Sequence, residues 1–184
     1  MKRLGIALGI AAGLVVLAVL VLLVLGRRAD AGVLNGTVQI ARRPEDVFPW
    51  LNEPDKLTRW VSGLVEVRSE TPGQRAVGTR EVWVMDDPNT KQRVEVGGEI
   101  TALEPDKLLS VRISMPGAFE GEITYTLTAA GPGLTRVDEA GRFTYHNWFA
   151  SLIEPILTSQ ARKKLEGGLA RLKEQAEGAG ATER

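Results

Sequence analysis

The chain contains no cysteine and a single histidine, His146. Without thiols there is no disulfide, no thiolate-held metal and no lipoprotein cysteine to acylate. One imidazole is too few for a histidine metal site, and a carboxylate site would need acids clustered in one loop. The pair Asp86-Asp87 sits in turn chemistry and reads as solvated, so no metal and no cofactor is expected. No G-x-S-x-G elbow, G-x-G-x-x-G loop or P-loop is present, which removes support for those hydrolase, dinucleotide and nucleotide classes. A Ser-His-Asp triad would have to use His146, and Ser151 close behind it reads as early helix.

Neither charge is in excess, with 23 Lys and Arg against 23 Asp and Glu. The first 28 residues hold four basic and no acidic side chains, which leaves 19 basic against 23 acidic in the remainder. A mildly acidic domain suits neither nucleic-acid phosphates nor anionic lipid headgroups, since both need a basic face. No run of like charge, low-complexity tract or internal repeat occurs.

What the chain does have is an apolar run from Leu4 to Leu25. As a helix it would reach ~33 Å, about the hydrocarbon thickness of a bilayer. Lys2 and Arg3 flank it on one side, Arg27 and Arg28 on the other. The expected organisation is an anchor helix over 1–28, a linker over 29–35, a domain over 36–177 and a flexible tail over 178–184. A cleaved signal is the alternative, because Ala29-Asp30-Ala31 has the form of an A-x-A site. The expectation is a single-pass protein of a bacterial inner or plasma membrane. The flanking charges balance, so they do not fix orientation. The very short N-terminal tail favours an outward-facing domain.

Beyond residue 36 the pattern changes period. Residues 37–41 alternate and read as a strand. Pro44 and Pro54 each suit the first position of a short helix, with acids in the first turn. From residue 64 to 145 the chain reads as strands over 64–69, 78–86, 92–103, 108–115, 119–129 and 134–145. The breaks fall at Pro-Gly, Pro-Asp and Gly-Pro-Gly clusters. The Gly97-Gly98 pair suggests a bulge in the fourth strand. Residues 147–177 show an apolar stripe through Phe149, Ile153, Leu165, Leu169 and Leu172 at helical spacing, and Pro155 should kink or begin the main helix. Short turns between consecutive strands mean an antiparallel meander, and the last helix is the element able to cover its apolar face.

Parity places Phe119, Ile123, Tyr125 and Leu127 on one face of the sixth strand. Val111, Ile113 and Met115 share a face of the fifth, and Phe143 and Tyr145 of the seventh. On the third, Val82/Val84 and Trp83/Met85 compete. Glu139 shares the parity of Val137, Gly141 and Phe143, so an intact alternation aims a carboxyl at the covered side. Burial would raise its pKa and make it an acid/base or polar anchor, with an arginine as its candidate partner. A bulge at Gly141 would turn it outward instead. His146, at the junction of last strand and helix, is a second acid/base candidate or a capping residue.

Several segments resemble the START-like helix-grip superfamily (SRPBCC), in its polyketide cyclase/dehydrase and lipid-transport branch. They are Ala41–Leu51 (ARRPEDVFPWL), Pro54–Trp60 (PDKLTRW), Val77-Gly78-Thr79, Leu103–Leu108 (LEPDKL) and Leu165–Lys173 (LEGGLARLK), in that order. The resemblance implies an α+β fold in which a curved antiparallel sheet of about seven strands wraps on a long C-terminal helix. Two short helices follow the first strand. It also implies a hollow between sheet and helix for an apolar ligand. The residues expected to line it are Trp60, Trp83, Met85, Val111, Ile113, Met115, Phe119, Ile123, Tyr125, Leu127, Phe143, Tyr145, Phe149 and Ile153.

The leading functional expectation is a membrane-tethered binding module for a hydrophobic small molecule: a lipid, isoprenoid or polyketide-like compound. The rival is a cyclase or dehydratase that uses a buried carboxylate in the same cavity. The supply of acid/base groups is thin, which places the binder ahead of the enzyme. The third is a scaffold whose interior is filled by its own side chains.

Overall fold

The computed structural model describes residues 13–14, 17–19, 21, 32–87, 90, 92–146 and 154–179. Strand β1 (Val33–Ile40) leads into two short helices, α1 (Pro44–Asn52) and α2 (Pro54–Trp60). Six strands follow: β2 (Leu64–Ser69), β3 (Arg80–Asp86), β4 (Arg93–Glu104), β5 (Leu108–Met115), β6 (Phe119–Gly131) and β7 (Leu134–Tyr145). Helix α3 (Glu154–Ala179) closes the described chain. One antiparallel sheet has the order β1-β7-β6-β5-β4-β3-β2, so the meander runs outward from β7 and β1 returns to its far side. This is the helix-grip α+β fold that the resemblance implied.

The local signals act as expected. Pro44 opens α1 with Glu45 and Asp46 in its first turn, and Pro54 opens α2. The turn before β5 places Asp106 at φ 63, a left-handed conformation that a short polar side chain tolerates. α3 begins at Glu154, one residue before Pro155, and continues through Gly167-Gly168.

Some boundaries move. β1 starts at Val33 because Val33, Leu34 and Asn35 pair with Arg142, Gly141 and Ala140, which shortens the expected 29–35 linker. β3 starts two residues later than expected: Thr79 instead bonds Ile100 across the loop. The irregularity in β4 falls between Ile100 and Ala102 in its pairing with β5, not at Gly97-Gly98, which stay in register with Ser114 and Ile113.

Helix α3 lies over β1 and buries Leu165, Leu169, Leu172 and Ala176. Each such leucine contributes about 1.5–3 kcal/mol when fully buried. The helix comes so near β1 that a Cβ on Gly36 would lie 2.3 Å from a Leu165 methyl and 2.6 Å from a Leu169 methyl. Its C-terminal end is tied down by polar contacts. Arg42 donates to the carbonyls of Ala176 (3.3 Å) and Glu177 (2.6 Å), and the Glu177 carboxylate accepts from the Ala41 amide (2.7 Å). Cations bonded to the last carbonyls of a helix also oppose its dipole. Beneath this end lies the tightest core: Ile40, Val47, Leu51, Val137 and Leu172 are all wholly buried.

The expected single-pass membrane location is corrected: among the described residues no helix is long and apolar enough to cross a membrane. The 4–25 run on which it rested lies mostly outside the described residues. The few that are described there, 13–14, 17–19 and 21, are helical and exposed.

Candidate functional site

The inner face of the sheet, toward α3, is built by strict alternation. From β7 it receives Val137, Glu139, Gly141 and Phe143; from β6 it receives Leu127, Tyr125, Ile123 and Phe119. β5 adds Leu109, Val111, Ile113 and Met115. On β3 the competing parities resolve in favour of Trp83 and Met85, which join the core cluster, with Glu81 on the same side. Val84 is also buried, but on the other parity.

The intact pairing of β6 with β7 sets Glu139 directly opposite Tyr125, and β1 sets Gly36 on its other side. The register shift in that pairing falls at the far turn, between Ala129 and Gly131, so no bulge at Gly141 turns Glu139 away. The Tyr125 hydroxyl donates to the Glu139 carboxylate. Burial pushes Glu139 up to about 7, and the Tyr125 hydrogen bond opposes that rise. Burial, then the neighbouring Glu139 charge, holds the Tyr125 phenol well above its ordinary value, so it stays a proton donor. The arginine partner expected for Glu139 is therefore replaced by a tyrosine.

Tyr125 is itself positioned from above. The Trp60 ring meets it edge-on, with centroids 6.0 Å apart. Trp60 donates its indole N–H to the Trp50 carbonyl (2.8 Å), and its own carbonyl accepts from Arg171 Nε on α3 (3.0 Å). Helix α2, the sheet and α3 thus converge on one carboxyl.

Sequence reasoning missed a second interior carboxyl. Glu81, 2% exposed, accepts two bonds from Arg75 (2.6 and 2.8 Å) and one from the Trp83 indole (3.1 Å). Arg75 also donates to the Asn52 carbonyl (2.6 Å) and so ties the 70–79 loop to the end of α1. The available signal was parity, since Glu81 and Trp83 are two residues apart on one strand.

Away from the tied-down end of α3 the inner face is less covered. Met115, Phe119, Ile123, Phe143, Tyr145 and Met85 are half-buried, whereas Val111, Ile113, Tyr125, Leu127, Trp60 and Trp83 are buried. The Phe143 ring lies over Gly121 and Gly141, 2.5 and 2.9 Å from where their Cβ atoms would stand, and meets Phe119 edge-on at 6.4 Å. Phe149 and Ile153 lie outside the described residues. His146 does not join this group. Its Nε2 is 3.8 Å from Glu120, an exposed residue of the outer face, while Glu139 faces inward.

The outer face carries different chemistry. A concavity of about 440 Å³ lies there across β1, β7, β6 and β5, where Arg112 and Arg142 stand beside Glu120 and Glu122. Its mixed charges do not suit an apolar ligand. Among the described residues no group of three His, Asp or Glu side chains is placed to hold a metal ion.

Comparison with known proteins agrees with this geometry. A family model described as "Polyketide cyclase / dehydrase and lipid transport" matches residues 32–177. No curated protein matches the sequence. Among solved structures, a START superfamily protein from Mycobacterium smegmatis aligns with TM-score 0.67 at 12% identity, covering 80% of this chain and 98% of that one. A protein from Nitrosomonas europaea aligns with TM-score 0.65 at 16% identity over 84% and 99%. A protein from Deinococcus radiodurans gives TM-score 0.57 at 20% identity over 79% and 97%. At these identities the likeness is one of fold.

Proposed function

The chain belongs to this polyketide cyclase/dehydrase and lipid transport family, and from that premise we propose that it binds a hydrophobic small molecule between the inner face of the sheet and α3. The ligand class is a lipid, isoprenoid or polyketide-like compound. One observation carries the reading. The inner face stays apolar but only half-covered around Ile123, Phe119, Met115 and Phe143, next to an interior carboxyl that has no counter-ion among the described residues. An apolar wall with one or two polar groups is the usual make-up of a small-molecule site. The side chains expected to contact the ligand are Phe119, Ile123, Met115, Phe143 and Met85, with Tyr125 and Glu139 at its polar end.

The test is organic extraction and mass spectrometry of the purified full chain, alongside titration with the neutral apolar dye Nile red. A co-purifying apolar compound and saturable dye binding are expected. A chain that carries no such compound and takes up no dye overturns the reading.

A second reading, a cyclase or dehydratase, is favoured by a single observation: a carboxyl near half-protonation at neutral pH is suited to proton transfer. It predicts turnover of a poly-keto substrate that Glu139→Gln abolishes while dye binding persists.

A further inference from the structure

We propose that Glu139 and Tyr125 select the polar end of the bound molecule, admitting an uncharged hydroxyl or carbonyl and rejecting a carboxylate. The inference rests on the binding reading above and narrows it.

The geometry gives Glu139 uncharged neighbours on every described side. Along β7 they are Val137 and Gly141, across on β6 Tyr125, and across on β1 Gly36. From above come the Leu165 and Leu169 side chains of α3, which pack against Gly36. Arg171 of the same helix is turned to the Trp60 carbonyl. The two cations nearest in sequence, Arg136 and Arg142, both lie on the outer face, and Arg136 is paired there with Asp138 (2.9 Å). Glu81, the other interior carboxyl, already holds Arg75.

An anionic ligand end beside Glu139 would therefore meet a second negative charge in an apolar setting, with no cation acting on Glu139 among the described residues. That arrangement is penalised twice, by like-charge repulsion and by the desolvation of an unpaired charge. An uncharged end meets the opposite situation. An ionised Glu139 accepts from a ligand hydroxyl, and a protonated Glu139 donates to a ligand carbonyl. Burial places Glu139 where both forms are populated near neutrality, so one carboxyl serves both ligand types. The Tyr125 hydroxyl, on a ring packed edge-to-face with Trp60, has its proton on Glu139 and offers its oxygen as a second acceptor at the same point.

The experiment uses the full chain and a matched pair of probes, 1-decanol and decanoate, as competitors of Nile red. At about pH 8 the alcohol is expected to displace the dye about tenfold more effectively than the acid. Glu139→Gln is expected to cut that ratio to about threefold or less by strengthening decanoate. Should this variant fail to fold, the wild-type ratio at about pH 6 serves instead; it narrows as Glu139 takes up a proton. Equal displacement by both probes at the higher pH overturns the selection and leaves the binding reading standing. Nile red that never binds overturns the binding reading, and this inference with it.

Discussion

Glu81 and Glu139 both turn a carboxyl toward the interior, and the fold completes one while leaving the other open. Glu81 is enclosed, with Arg75 forked onto both of its oxygens and the Trp83 indole on one of them. Glu139 is only partly covered, has the Tyr125 hydroxyl as its bonded partner, and rises to about 7. A fold that needs a buried carboxylate for structure supplies the counter-ion, because an unpaired buried charge is costly. Among the described residues Glu139 has no such match. Glu139 lies beside the half-covered part of the apolar inner face, at Ile123 and Phe143, where a ligand would complete it. The comparison separates two interior carboxyls by their partners alone.

The largest expected effect breaks the completed half. Arg75→Ala leaves Glu81 buried without its guanidinium and frees the Asn52 carbonyl, so a loss of about 3–5 kcal/mol is expected in urea denaturation. Removing the acid and base together, as Glu81→Leu with Arg75→Met, is expected to cost much less than the single change. Equal losses would mean that the pair is not a coupled unit, and the contrast with Glu139 would lose one side.

The second effect concerns the open half and has the opposite sign with pH. A carboxyl whose folded pKa is raised binds more protons in the folded chain than in the unfolded one between about pH 4.5 and 7. Stability therefore falls as pH rises through that window, by an amount on the order of 2–3 kcal/mol for this group. Glu139→Gln should remove the fall, so variant and wild type diverge most above neutrality, with the variant more stable. Asp138 and Glu177 shift the other way. The Thr37 hydroxyl bonded to the first and the Ala41 amide bonded to the second hold them below the usual carboxylate range. Their contribution is lost as the medium turns acid and does not overlap the Glu139 window. Denaturation midpoints across pH for both chains check the sign.

How much of this contrast could be read from residues alone differs between its halves. The strands themselves were legible, because Pro105-Asp106, Pro116-Gly117 and Gly131-Pro132-Gly133 punctuate an alternating pattern; β2, β5 and β7 run over the residues expected. The inward aim of Glu139 was legible for the same reason, since parity with Val137 and Phe143 holds wherever no bulge intervenes. Its partner was not. Parity says which face a residue takes, while the residue opposite depends on the register of β6 on β7, which no local pattern encodes. Arg75 was invisible because it lies in the irregular 70–79 segment, which has no period to read. Glu81 was obscured by its strand, where Trp83 and Val84 are both buried and the alternation fades. The apolar run near the N-terminus shows the opposite fault: its length and composition suggested a span, yet among the described residues no helix meets that length and apolarity.

The smallest expected effect is the most discriminating, because it touches the pair without removing the acid. Tyr125→Phe keeps the ring under Trp60, so the edge-on contact survives and only the hydroxyl is lost. The Tyr125 bond favours the ionised form of Glu139, so its removal lets burial act unopposed and Glu139 is expected to rise above about 7. The stability cost depends on pH for that reason. Where Glu139 is protonated the loss is that of an ordinary hydrogen bond, about 0.5–1.5 kcal/mol; where it is ionised the lost bond is charge-assisted and the cost about 1.5–3 kcal/mol. Carbon-13 NMR of the Glu139 carboxyl gives the titration directly, and denaturation at two pH values gives the cost. An unchanged titration with a pH-independent loss would show that the hydroxyl does not serve the carboxyl, and Glu139 would then be a buried acid with no device arranged around it.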